Sequence, residues 1–168
     1  SHPGPPIHFS LDPQGREVRQ GTGQGIYRRR VDSPADRNAE IQPEEGFAVA
    51  SLDSGAAEAI ASGSGRVRII RGQGSPPIEV APPAPDGIDF LVASPDSRWI
   101  AAATTNHAVC VWDAQTGAAI GSPVRLVEGD ASAWGIQRGC RLEFSPDSRL
   151  LAATSPAGVV MPLVTPGR

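Results

Sequence analysis

Short apolar segments separated by turn residues run along the chain, and the pattern is clearest over residues 94–117. Residues 100–104 are small and apolar, and residues 109–112 are β-branched and aromatic, which suits largely buried strands. The Ser-Pro-Asp-Ser sequence at 94–97 precedes them. Its proline fits the second position of a tight turn, where the Ser and Asp oxygens can bond backbone NH groups. The pattern therefore predicts turn, strand, turn, strand, turn.

The same pattern occurs four times. The Ser-Pro-Asp-Ser sequence returns 51 residues later at Ser145, and related turn sequences begin 43 residues earlier at Ser51 and a further 41 residues earlier at Ser10. Each copy is followed by a small-residue strand and then a β-branched strand. Each unit has room for a fourth strand, predicted at residues 118–122 in the third unit. Four strands in 40–45 residues is the size of a propeller blade.

Two segments carry a resemblance to a known family. Residues 144–152 (Phe-Ser-Pro-Asp-Ser-Arg-Leu-Leu-Ala) and 109–117 (Val-Cys-Val-Trp-Asp-Ala-Gln-Thr-Gly) resemble the WD40 repeat of bacterial β-propellers. Only Trp112-Asp113 keeps the signature dipeptide, the family's Gly-His pair is absent, and Asn106 and Ala157 replace its turn Asp. The resemblance implies an all-β, WD40-like β-propeller of about four four-stranded blades, which is a partial propeller or half-ring.

On this interpretation residues 1–168 form one domain, with blades at about 7–46, 47–87, 88–122 and 123–168. The connections differ in character. Residues 28–38 are charged and contain proline, which favours an exposed loop; proteolytic processing after Arg28–Arg30 is an alternative. Residues 74–87 are a proline-rich connector with an edge strand predicted at 78–80. The insertion between Val124 and Cys140 is expected, from the resemblance, on the ligand-facing rim.

Composition excludes several classes of function. The net charge is −3, and every basic residue is Arg, which with abundant Ala, Gly and Pro suggests a GC-rich bacterial genome. Nucleic-acid binding usually needs a basic surface, so we expect no nucleic-acid partner. No run approaches the roughly 18 apolar residues of a membrane span. Cys110 and Cys140 are too few for a disulfide framework and are expected to be free, buried thiols in the cytoplasm.

No catalytic or metal-binding constellation emerges. The glycine-rich residues 21–25 lack a following Lys-Ser/Thr, so they predict a hairpin rather than a phosphate loop. Ser94 and Ser145 have no His–Asp arrangement around them. The histidines share no metal-ligand spacing with the cysteines. They are His2, His8 and His107. We therefore expect no catalytic residue, no cofactor and no metal.

Tryptophan and arginine are favoured at interface hot spots. The candidate partner-binding residues are Trp134, Arg138, Arg141, His107 and Arg98. The structural alternatives are that His107 is a hairpin-turn residue and that Trp99 packs between blades.

Four blades do not complete a ring of seven or eight, and an open stack exposes apolar faces and strand edges. We therefore expect a protein partner, either another chain or another segment, to supply the remaining blades. A closed four-bladed ring and an all-β sandwich are alternatives. By resemblance, the expected function is a non-catalytic interaction scaffold or regulatory sensor of a bacterial signalling or defence protein. The alternative is a structural subunit or processed fragment of a larger protease-, kinase- or ATPase-linked enzyme, with its catalytic residues elsewhere.

Overall fold

A computed structural model describes residues 8–11, 17–22, 25–31, 40–42, 48–52, 57–62, 65–72, 75–80, 87–105, 107–126, 141–154 and 160–164. Within these ranges the regular structure is entirely β, which confirms the predicted class. The described part of the chain contains no helix that could cross a membrane.

The strands form four antiparallel sheets, and each sheet is built from strands that follow one another in the chain. Sheet 1 contains β1 (His8–Leu11), β2 (Glu17–Thr22), β3 (Gly25–Arg30) and β4 (Glu40–Gln42). Sheet 2 contains β5 (Ala48–Leu52), β6 (Ala57–Ala61), β7 (Val67–Arg71) and β8 (Ile78–Val80). Sheet 3 contains β9 (Ile88–Ala93), β10 (Trp99–Thr104), β11 (Ala108–Asp113) and β12 (Val124–Arg125). Sheet 4 contains β13 (Arg141–Phe144), β14 (Leu150–Thr154) and β15 (Val160–Val164).

The sheets stand side by side, because the first strand of each one neighbours the first strand of the next. β1 lies beside β5, β5 beside β9, and β9 beside β13. Among the described strands, no comparable contact joins sheet 4 to sheet 1. The four sheets therefore form an open row in which sheets 2 and 3 are covered on both sides.

Sheet 3 shows how alternating side chains fill two interfaces. Every residue of β10 is buried. Ile100 and Ala102 face sheet 2 and pack in one cluster with residues such as Ile69. Trp99 and Ala101 point the other way, into a cluster that sheet 4 completes. Successive side chains of a strand point to opposite faces, so small residues here let two neighbouring sheets approach one strand closely. Trp99 thus packs between two sheets, in agreement with the structural alternative that the sequence analysis gave for it.

Several predicted elements are confirmed. β2 and β3 pair as the predicted hairpin, in which Thr22 pairs with Gly25, and residues 23 and 24 between them lie outside the described ranges. The predicted edge strand at 78–80 is β8. The loop prediction for residues 28–38 is wrong at its start, because Arg28–Arg30 belong to β3 and Arg28 pairs with Glu40. Residues 32–39 lie outside the described ranges.

The fourth strand of sheet 3 is Val124–Arg125 rather than the predicted 118–122. Gly117 and Gly121 adopt left-handed φ values of 73° and 70°, which break a regular ladder. Pro123 also lacks the NH that a ladder requires. Within 118–122, only an isolated bridge between Ala119 and Trp112 forms.

The alignment of the second unit on Ser51 is wrong by one residue. Leu52 pairs with Ala57 at the end of the β5–β6 ladder, leaving four residues between them. The backbone NH of Ser94 donates a hydrogen bond to the carbonyl of Trp99, which also leaves four residues between the two. Leu52 is therefore the equivalent of Ser94, whereas Ser51 lies within β5. A one-residue shift exchanges the two faces of a strand, so the ladder, not the turn-like sequence, decides the equivalence.

Candidate interaction surfaces

The connections between strands lie at two opposite ends of the sheets, which we call rim A and rim B. Rim A contains the turns at residues 94–98, 113–117 and 145–149. Rim B contains the described residues Asp89, Thr104, Thr105, His107, Leu126 and Arg141. The six residues of β10 separate the rims by about 20 Å, because a strand rises about 3.3 Å per residue.

The turn at 94–98 is closed by its own side chains. The Ser94 hydroxyl donates to Asp96 Oδ1 at 2.7 Å and accepts from the backbone NH of Trp99 at 2.9 Å. The same Asp96 oxygen accepts from the NH of Arg98 at 3.1 Å. Ser97 has a left-handed φ of 58°. The Ser and Asp recur in the sequence because the turn uses both oxygens.

The turn at 145–149 repeats this geometry in sheet 4. Ser145 donates to Asp147 Oδ1 at 2.6 Å and accepts from the NH of Leu150 at 2.9 Å. The hydrogen bond from Ser145, together with one from the NH of Arg149, lowers the pKa of Asp147 below 3.8. The NH of Asp96 donates to the Ser148 hydroxyl at 3.1 Å, so the two turns also bond to each other across the sheets.

The third turn of rim A surrounds Asp113. Its carboxylate accepts hydrogen bonds from the backbone NH groups of Gln115 and Thr116 at 2.9 and 2.8 Å. Burial raises the pKa of Asp113, but the hydrogen bonds from Thr116 and Gln115 and the charge of Arg98 outweigh it, so the pKa is lowered. The next residue in the turn, Ala114, accepts a 2.8 Å hydrogen bond from Arg71 of sheet 2.

Rim B is organised by the β10–β11 hairpin. His107 has a left-handed φ of 60°, and its backbone NH donates to the carbonyl of Thr104 at 2.9 Å. The His107 carbonyl accepts from the NH of Leu126 at 2.9 Å, which ties the hairpin to the end of sheet 3. Burial raises the pKa of Asp89, and the charge of the nearby His107 partly offsets this rise. His107 therefore has the hairpin-turn role that its structural alternative predicted.

The structure does not gather the candidate partner-binding residues into one site. Arg98 lies on rim A, where its guanidinium sits 5.3 Å from the centre of the Trp99 ring. His107 and Arg141 belong to rim B, at the other end of the strands. Trp134 and Arg138 lie outside the described residues.

One surface was missed by the sequence reasoning. We define the open face of sheet 4 as Arg141, Glu143, Leu150, Ala152 and Thr154. Four of these five side chains are exposed and Ala152 is half-buried, because no described strand covers them. The signal was present in the sequence: the equivalent positions of sheet 3 are apolar, whereas three of these five are polar.

Metal and thiol chemistry find no support in the described ranges. Within them, no three His, Cys, Asp or Glu side chains are close enough together to hold a metal ion. Cys110 is a free thiol buried between sheets 2 and 3, and burial raises its pKa to about 12. Cys140 lies outside the described residues.

No protein-family model and no curated protein sequence matches the chain. Among solved structures, the chain is similar to a chain of "Kuenenia stuttgartiensis Hydrazine Synthase", with a TM-score of 0.65 and 18% sequence identity. The match covers 91% of this chain and 42% of that one. The likeness concerns the fold alone, and this chain spans less than half the length of its structural neighbour.

Proposed function

We propose that the chain is part of a WD40-like β-propeller that serves as a non-catalytic protein–protein interaction module. Its setting would be a cytoplasmic scaffold or sensor in a bacterial signalling or defence protein. The observation that carries this proposal is the row of sheets whose first strands are neighbours in chain order. Successive four-stranded meanders stacked in this way are the arrangement of propeller blades.

The open row supports the need for further blades. Sheets 2 and 3 bury both faces, and repeat units of this kind depend on such neighbours for their stability. Sheet 4 has a neighbour only on its sheet 3 side among the described strands. Additional sheets from a second copy, another chain or another segment would cover the remaining faces.

The hydrogen bonds that the turn carboxylates accept favour an interaction function over a catalytic one. Asp96, Asp113 and Asp147 accept hydrogen bonds within their own turns. A carboxylate that stabilises a turn in this way has fewer lone pairs for a substrate. The pKa values of Asp113 and Asp147 are lowered as well, which makes these two carboxylates poor general acids near neutral pH. The turns of rim A instead offer exposed loops on a rigid scaffold, which is how binding surfaces are commonly built.

A second candidate function is a structural part of a larger enzyme. It is favoured by the likeness to a chain of a protein named hydrazine synthase, of which this chain matches less than half. In that case the catalytic residues would lie on another segment or chain.

Solution mass and scattering test the ring proposal. We expect the purified chain to associate beyond its 17.5 kDa mass, and scattering from the assembly to fit a closed ring. A compact monomer at every concentration would refute the need for further blades. Hydrolase assays on the same sample test the non-catalytic assignment, since turnover by the purified chain would contradict it.

A further inference from the structure

We propose that the open face of sheet 4 binds a second copy of this chain through a self-complementary charge pair. Arg141 of each copy would lie opposite Glu143 of the other copy. This contact goes beyond the proposed function, because it needs no further blades, and it would cover the face before such blades bind.

The ladder places the polar groups on one surface. Arg141 pairs with Thr154 and Glu143 pairs with Ala152 across β13 and β14. Directly opposite residues of an antiparallel pair point to the same face. Leu142, between the two charged residues, points the other way and packs against sheet 3. Arg141 and Glu143 therefore share the open face, two residues apart on one strand.

The equivalent face of sheet 3 is apolar, whereas the open face of sheet 4 carries charged side chains. There the first strand presents Phe90 and Val92, which pack into the cluster completed by sheet 4. Sheet 4 has Arg141 and Glu143 at the same two positions. Covering them with an apolar sheet would remove both charges from water without partners, which is strongly unfavourable. The occupant must therefore bring a negative charge to Arg141 and a positive charge to Glu143.

A second copy meets this requirement. Residues two apart on a strand are separated by about 6.6 Å along it. A two-fold axis that crosses β13 at the level of Leu142 brings Arg141 of each copy opposite Glu143 of the other, as an isologous contact requires. The same axis brings Thr154 opposite Ala152 on β14, where small side chains allow close approach. Within the described part of the chain, the side chains of Arg141 and Glu143 form no hydrogen bond or ion pair.

The size of the face sets the strength of the contact. Three strands of about five residues cover about 14 by 17 Å, far below the roughly 800 Å² per partner of a stable complex. Leu150, whose side chain is 45% exposed, adds apolar area at its border. We therefore expect a weak dimer that is sensitive to salt, since screening reduces attraction between exposed charges.

Charge reversal tests the contact in the full chain. Sedimentation velocity from micromolar to about 1 mM protein should show a weak dimer, and Arg141→Glu or Glu143→Arg alone should weaken it by about tenfold or more. Mixing the two single variants should restore association, because a copy with two acidic residues then faces a copy with two basic ones. The double variant Arg141→Glu/Glu143→Arg should also dimerise. Arg125→Glu, at an exposed position on β12, is the control for altered net charge.

The outcomes are distinct from those of the ring proposal. Restored association in the mixture supports the self-contact whether or not a ring forms. An assembly that is insensitive to both single reversals overturns the self-contact and leaves the ring proposal standing. A wild-type chain that remains monomeric to about 1 mM, or a mixture that fails to associate, also overturns the self-contact. Denaturation midpoints of each variant verify that the exposed substitutions leave the fold intact.

Discussion

Replacing Gly117 by alanine should destabilise the protein through two separable effects. Gly117 lies in the rim A turn after Asp113, and its φ is +73°. An added Cβ would lie 2.9 Å from Ile78 Cγ2 and 3.2 Å from the backbone oxygen of Glu79, both on β8 of the neighbouring sheet. Ile78 Cγ2 is fixed close to its own backbone, and the Glu79 oxygen is backbone. Neither atom can move without shifting β8.

The magnitude follows from these two effects. A left-handed conformation costs an L-residue with a Cβ about 1 to 2 kcal/mol relative to glycine. Forcing a methyl group into a packed contact adds about 1 to 3 kcal/mol. Gly121 supplies the control, because its φ is +70° and an added Cβ there meets nothing within 4 Å. We expect Gly121→Ala to lower the free energy of unfolding by about 1 to 2 kcal/mol and Gly117→Ala by about 2 to 5 kcal/mol.

Urea denaturation of the wild type and both variants measures the two losses, with comparable m values required for the comparison. The difference between the variants isolates the contact between the rim A turn and β8. Equal losses would refute the reasoning, because they would show that sheets 2 and 3 do not hold this turn against β8.

Three further predictions concern single side chains. Ser94→Ala should lower the free energy of unfolding by about 1 to 2 kcal/mol and more than Ser145→Ala, because Ser94 is buried and Ser145 only half-buried; equal losses in chemical denaturation would contradict this. The Asp147 carboxylate should titrate below 3.8 by NMR and move toward that value in Ser145→Ala. Because its folded pKa is lowered, its stabilising contribution is present above pH 3.8 and is lost as the pH falls through the folded pKa, and a titration midpoint at or above 3.8 in the wild type would refute the hydrogen-bond assignment. In a Cys140→Ser background, Cys110 should resist a thiol reagent at pH 8 until the protein unfolds, since burial raises its pKa to about 12; labelling of the folded protein at the rate of a free thiol would contradict its burial.

Sequence reasoning succeeded where the determinants of structure are local. The side chains of Ser94 and Asp96 accept hydrogen bonds from backbone NH groups no more than five residues away. The turn can therefore be predicted from its local sequence. The short apolar run in β10, bounded by turn residues, likewise predicts a largely buried strand. These features need no knowledge of distant segments.

The errors came from features that depend on pairing between strands. Ser51 resembles a turn serine, but its place in β5 follows from its pairing with Glu58. The position of β12 depends on two left-handed glycines and Pro123, which displace the pairing beyond the predicted segment. The open face of sheet 4 could be recognised only after the register had shown which positions correspond to Phe90 and Val92. Of the candidate partner-binding residues that the structure describes, only Arg141 belongs to this face.

The strictly sequential order of the sheets has a consequence for synthesis of the protein. Every described ladder joins strands adjacent in the chain, and the main described contacts between sheets join consecutive sheets. Each sheet can therefore form its hairpins as it leaves the ribosome, within the few seconds that about 40 residues take to be made. The cluster around Trp99 is complete only after sheet 4 has been synthesised, because β13 and β14 contribute part of it. A delay between the emergence of sheet 3 and the emergence of sheet 4 would leave this apolar cluster incomplete, so the risk of aggregation depends on how soon the last sheet follows.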